Sequence, residues 1–198
     1  SYNTGVGNRA LEDATGAYNT ALGHLAGGTI IGGQYNLCLG HTAGNNITSG
    51  DGNVIIGDVN AASATGDRQL AIAGNDGTNT TTWISGDSSN YNTAIGHATG
   101  SNASMSGAYN TFLGHRAGDS HTSGAGNVII GAAAESASAS GNRQLTIGAF
   151  DGSTTTTWIS GDSNGVVTFA DDIIIKDAGT IGSASDVDAI AIGADGDI

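Results

Sequence analysis

The phrase Asn19-Thr-Ala-Leu-Gly-His24 returns along most of the chain. It recurs as Asn36-Leu-Cys-Leu-Gly-His41, Asn92-Thr-Ala-Ile-Gly-His97 and Asn110-Thr-Phe-Leu-Gly-His115, and without the histidine as Asn53-Val-Ile-Ile-Gly57 and Asn127-Val-Ile-Ile-Gly131. From Asn3 through Asn19, Asn36, Asn53 and Gln69 the steps are 16, 17, 17 and 16 residues; from Asn92 through Asn110, Asn127 and Gln144 they are 18, 17 and 17. One short strand and its turns cannot bury a core alone, so a period of this length implies stacked copies. The expected fold is all-β: a parallel β-roll or β-helix solenoid with rungs of about 17 residues.

Alternation along a strand assigns faces to the phrase. The third position after Asn is always aliphatic: Leu22, Leu39, Ile56, Ile72, Ile95, Leu113, Ile130 and Ile147. With the first position it is expected to face the rung interior as the structural core. The second position, at Ala21, Cys38, Ile55, Ala94, Phe112 and Ile129, points the other way yet is seldom polar. A strand apolar on both faces is covered on both faces. Ala21, Cys38, Ile55, Phe112 and Ile129 are therefore expected to touch neighbouring chains in an intertwined or side-by-side homotrimer. The glycine closing each phrase suits positive φ or close backbone approach, and the leading asparagines could ladder from coil to coil.

A larger repeat contains the rungs. Tyr35–Asp87 matches Tyr109–Asp162 at an offset of 74 residues that becomes 75 at Arg68/Arg143. This divides the chain into a first β-roll array (1–74), a Thr/Trp connector (75–90), a second array (91–149), a second connector (150–165) and a C-terminal short-strand segment (166–198) that begins a further, degenerate repeat.

Glycine supplies 34 of 198 residues and proline none. Because the glycines alternate with short β-branched runs, they read as turns between strands. A net charge of −13 opposes nucleic-acid binding, which needs a cationic face, and adhesion to anionic membranes. No apolar run approaches a membrane span, so membrane insertion is not expected. The lone Cys38 reads as a small buried apolar residue. The start at Ser1 in mid-phrase suggests a fragment, so missing targeting signals carry little weight.

Few constellations suggest chemistry. His24 and His41, and His97 and His115, would stack one rung apart; around a threefold axis they could form rings of imidazoles for a metal or anion. The favoured reading is an outward or interchain histidine bonded to a carbonyl. His121 is off this ladder and reads as loop. Arg68 and Arg143 are expected to pair with carboxylates. Trp83 and Trp158 are expected to plug the ends of a thin core, with sugar stacking as the alternative surface role. The Asp-Gly pairs read as turns rather than calcium loops. No catalytic arrangement, cofactor or metal site is expected, and the chain reads as no enzyme.

Asn-Thr-Ala-Leu-Gly-His-x-Ala-Gly and Gly-Asn-Val-Ile-Ile-Gly resemble the head repeats of YadA-like trimeric autotransporter adhesins, which are left-handed parallel β-rolls packed three around an axis. The match is closer to repeat-bearing tail fibres of bacteriophages, because of Trp158–Val166 and the string Gly179–Ile192. That resemblance implies a structural shaft or receptor-presenting segment of a trimeric virion fibre, with a host cell-surface glycan or protein as partner. The alternatives are the head of a bacterial trimeric adhesin or another extracellular filament and, more weakly, a surface-polysaccharide depolymerase.

Overall fold

The computed structural model describes residues 2–86, 90–100, 106–173, 180–183 and 186–191. They are all-β and form a solenoid with rungs of about 17 residues. The rung strands of the first array are β1 (Thr4–Val6), β2 (Thr20–Leu22), β3 (Leu37–Leu39), β4 (Val54–Ile56) and β5 (Leu70–Asn75), paired in parallel and in register. At the turn 76–79 the chain reverses into β6 (Thr80–Gly86), which pairs antiparallel with both β5 and β7 (Thr93–Ile95). The second array continues in parallel through β8 (Thr111–Leu113), β9 (Val128–Ile130) and β10 (Leu145–Phe150). A second hairpin adds β11 (Thr155–Gly161), and β12 (Val167–Phe169) completes one twelve-stranded sheet. The chain divides into two compact units near Thr168. In the second unit β13 (Thr180–Ser183) and β14 (Asp186–Ala191) form an antiparallel hairpin, so the stretch expected to begin another rung is not a parallel coil.

A three-residue strand supplies few ladder bonds, and the asparagine opening each phrase supplies more. Asn19 Oδ1 accepts the backbone N–H of Asn36 at 2.9 Å and its side-chain N–H at 3.0 Å. Asn36 Oδ1 does the same for Asn53, and Asn53 Oδ1 for Gln69. Asn19 and Asn36 also donate to Gly33 O and Gly50 O, tying each strand to the far side of its rung. The second array repeats the arrangement through Asn92, Asn110, Asn127 and Gln144. These amides are buried, and buried amides are tolerated only when bonded. Glutamine stands at the last rung of each array. Its longer side chain reaches back to the N–H and C=O of Ser63 or of Ser138.

Left-handed corners recur from rung to rung. One falls on the residue before asparagine, as at Tyr18, Tyr35 and Tyr109, one six residues after it, as at Leu25, Thr42 and Arg116, and one eight residues after it, as at Gly27, Gly44 and Gly118. Close stacking needs glycine after the strand: a Cβ on Gly23 would lie 2.2 Å from Gly40 O, and one on Gly131 would lie 1.8 Å from Gly148 O.

The interior reverses the expected faces. Ala21, Cys38, Ile55, Phe112 and Ile129 are fully buried in their own rungs, with Ala94 close to it, so they are not surfaces for a partner. Leu22, Leu39, Ile56, Ile72, Ile95, Leu113, Ile130 and Ile147 point outward; Leu22 is 53% and Leu113 44% exposed. The reason is the asparagine. Its amide must turn inward to reach the next rung, and alternation then puts the second position inside and the first and third outside. Burial pushes the Cys38 thiol up to about 12, as suits a small apolar filler. His121 lies in the loop between β8 and β9, as expected, but it is not a surface residue. It is fully buried at the corner eleven residues after Asn110, the place that Ile30 and Ile47 fill after Asn19 and Asn36. Its ring centroid lies 5.5 Å from that of Phe112, and its Nε2 is 3.0 Å from Gly124 O.

These contacts set the expected effects on stability. Phe112→Ala should cost about 3–5 kcal/mol in chemical denaturation through the cavity it leaves. His121→Ile should cost less than about 1 kcal/mol, since Gly124 O keeps the Asn110 side-chain donor. Asn36→Ala orphans buried groups on two neighbouring rungs and should cost at least about 2 kcal/mol. A smaller loss for Asn36→Ala than for His121→Ile would contradict the ladder.

Candidate functional site

The outer face of the sheet is the surface with the most organised chemistry. From one edge to the other, each rung presents the residue before asparagine, then the first and third phrase positions, then the residue after glycine. Since all rungs share one register, each position becomes a column.

The first column is aromatic. Tyr2, Tyr18 and Tyr35 stack with centroids 5.1 and 4.8 Å apart and planes within 6°. Tyr91 and Tyr109 stack at 5.2 Å with parallel planes. In the sequence, Tyr35 and Tyr109 mark the start of the matching blocks; the regular place of a tyrosine before Asn is the signal for a ladder. The two middle columns are aliphatic or threonine, with Val6, Leu22, Ile95, Leu113 and Val128 among the exposed large hydrophobics.

The last column holds the histidines. His24 stacks on His41 at 5.3 Å, and His97 on His115 at 5.2 Å. All four are exposed. The column continues to Asp58, whose Oδ2 lies 3.1 Å from His41 Nδ1 and whose Oδ1 accepts the Thr42 hydroxyl. These two bonds, Thr42 first, hold the Asp58 carboxyl below its ordinary value. Among the described residues no group of three or more His, Cys, Asp or Glu is placed to hold a metal ion.

Trp83 and Trp158 are 51% and 53% exposed, so neither plugs the core. Both lie on the antiparallel hairpin strands β6 and β11, away from the rung interior. Trp83 overlies Gly74, where a Cβ would sit 2.7 Å from its six-membered ring. It borders an open groove of about 340 Å3 lined also by Asn75, Asp76, Asn79 and Thr81. The Asp-Gly turns are built as expected: Asp76 accepts the N–H groups of Thr78 and Asn79, and Asp151 those of Ser153 and Thr154. Backbone donors also hold Asp162, through Val166 and Asn164. All three carboxyls are thereby lowered below the usual range, led by Asn79, Thr154 and Val166 respectively.

Arg9 pairs with Glu12 and Arg116 with Asp119. Arg68 and Arg143 are exposed and form no ion pair among the described residues, contrary to expectation. Asp87, which matches Asp162 in the repeat, lies outside the described residues. Among the described residues no helix is long and apolar enough to cross a membrane. No protein-family model, curated protein or solved structure matches the chain.

The lowered carboxyls fix the sign of the acid response. A carboxyl lower in the folded than in the unfolded state adds stability that is full above its unfolded value and lost as pH falls through its folded value. The melting temperature should therefore hold from neutral pH down to about 4 and then fall. Combining Asp76→Asn with Asp151→Asn should flatten that fall. A wild-type melting temperature constant down to about pH 2 would contradict the assignment.

Proposed function

We propose that the chain is a rung-stacked segment of a homotrimeric extracellular fibre, of the kind that forms bacteriophage tail fibres. Its work would be reach, stiffness and presentation of a surface to the host cell, whose glycan or protein would be the partner. The observation that carries this reading is the pair of aliphatic columns on the outer sheet face. Leu37, Val54 and Leu70 form one, and Leu22, Leu39, Ile56 and Ile72 the other; all keep part of their surface in water in the single chain. A contiguous apolar patch of this kind marks an interface. Three copies sharing their outer columns would remove it from water at about 25 cal/mol per Å2. The partner surface is thus the third position, not the second.

The Trp158–Val166 and Gly179–Ile192 strings favour a virion over a bacterial surface. The rung phrase alone fits a trimeric adhesin head equally well. In either setting the role is mechanical and adhesive rather than catalytic.

Light scattering after size exclusion tests the assembly. The expected mass is three times 19.4 kDa. Combining Leu39→Glu with Ile56→Glu should give folded monomers with an unchanged far-ultraviolet spectrum, because both residues lie outside the rung. A wild-type chain that stays monomeric at micromolar concentration would overturn the proposal.

A further inference from the structure

The aromatic column contains a regular interruption. In the first array it runs Tyr18, Tyr35, Gly52, Arg68, and in the second Tyr91, Tyr109, Gly126, Arg143. These residues occupy equivalent places. All sit in the left-handed region, with φ of 58° at Tyr35, 67° at Gly52 and 50° at Arg68, and 61°, 70° and 51° at Tyr109, Gly126 and Arg143. The backbone bonds Gly126 N–H to Ala108 O and Arg143 N–H to Ala125 O carry the column across the gap without a break. Tyrosine and arginine adopt the same φ on adjacent rungs, so glycine is not required there by the backbone. What it does is remove one side chain from a stack.

The empty layer has defined walls. Tyr109 is 65% exposed, and its partner Tyr91 covers only one face of its ring. A Cβ built on Gly126 would meet only Arg143 Cγ, at 3.6 Å. Tyr109 and Arg143 stand two rungs apart, about 9.6 Å, which leaves room for one ring lying flat between them. An aromatic floor accepts the C–H face of a pyranose, and a guanidinium fork matches a carboxylate.

The two slots differ in charge. Beside the first lie Asp51 and Asp67, whose carboxylates accept the N–H groups of Gln34 and Asp51. Beside the second the matching residues are Ala125 and Asn142, with Asn142 Oδ1 accepting the Ala125 N–H. One arginine against two carboxylates leaves the first slot net negative; one arginine alone leaves the second net positive. On a chain of net charge −13 this local difference decides which slot can take an anion.

We propose that Tyr109, Gly126 and Arg143 form a binding slot for a sugar ring that bears a carboxylate, and that the first slot, made by Tyr35, Gly52 and Arg68, rejects it. This deepens the receptor-presenting reading and rests on it for biological sense. The binding itself can be measured whatever the oligomeric state.

The test is calorimetric titration of the assembled protein with an oligogalacturonate and with a neutral galactose oligomer of equal length, at low and at physiological salt. Only the acidic oligomer should bind, more weakly at the higher salt. Arg143→Gln should weaken it about tenfold or more, and Arg68→Gln should change it less than about twofold. Gly126→Tyr should abolish it while keeping the fold, since Tyr109 shows that tyrosine fits this corner; circular dichroism checks the fold. Equal binding of both oligomers, no binding of the acidic one at millimolar concentration, or full binding by Arg143→Gln or by folded Gly126→Tyr would overturn the proposal. The mass measurement is separate, so failure here is distinguishable from failure of the fibre reading.

Discussion

The asparagine ladder is the interaction on which the rest of this structure depends. A three-residue parallel strand slips easily, because its own backbone bonds are few and alike. One buried Oδ1 that accepts both N–H groups of the next rung's asparagine removes that freedom. A slip by a single residue would leave buried amides unpaired at every level, at a cost of about 1–3 kcal/mol each. Register then propagates outward. It places the glycines against the next backbone, the tyrosines face to face, and the histidines in a stacked column.

The same constraint separates the two faces chemically. Inside the rungs of Asn19, Asn36 and Asn110 the second position and the residue at the corner eleven after asparagine are buried together. Ala21 shares its rung with Ile30, Cys38 with Ile47, and Phe112 with His121. Ala21, Cys38, Ile55, Phe112 and Ile129 differ in size, yet all are buried. On the outer face the third-position column stays aliphatic from rung to rung, and the first is aliphatic or threonine. An exposed, uniform face on a self-repelling acidic chain is the physical basis of the fibre reading.

Period, strands and all-β class were legible in the sequence because asparagine and glycine each meet a backbone demand that recurs once per rung. Facing was not. The constant aliphatic character of Leu22, Leu39 and Ile56 suggested a core, whereas the buried second positions range from Ala21 to Phe112. The change of strand direction at β6 also had a sign that spacing could not decode: Gln69 and Gln144 replace asparagine where no further rung follows. His121 and the tyrosine column were readable only by counting from asparagine, eleven residues forward or one back. Arg68 and Arg143 were expected to pair with carboxylates but stand exposed without an ion pair among the described residues, since charge pairing depends on what lies one rung away.

Amide hydrogen exchange followed by NMR tests the ladder most directly. The backbone N–H groups of Asn19, Asn36, Asn53, Asn110 and Asn127 each donate to the side-chain Oδ1 of the preceding asparagine rather than to water. If the ladder sets the register, they should exchange as slowly as the strand amides of Cys38 and Ile55, and together with them. Exchange at the rate of the exposed turn amides of Thr78 and Ser153 would contradict it.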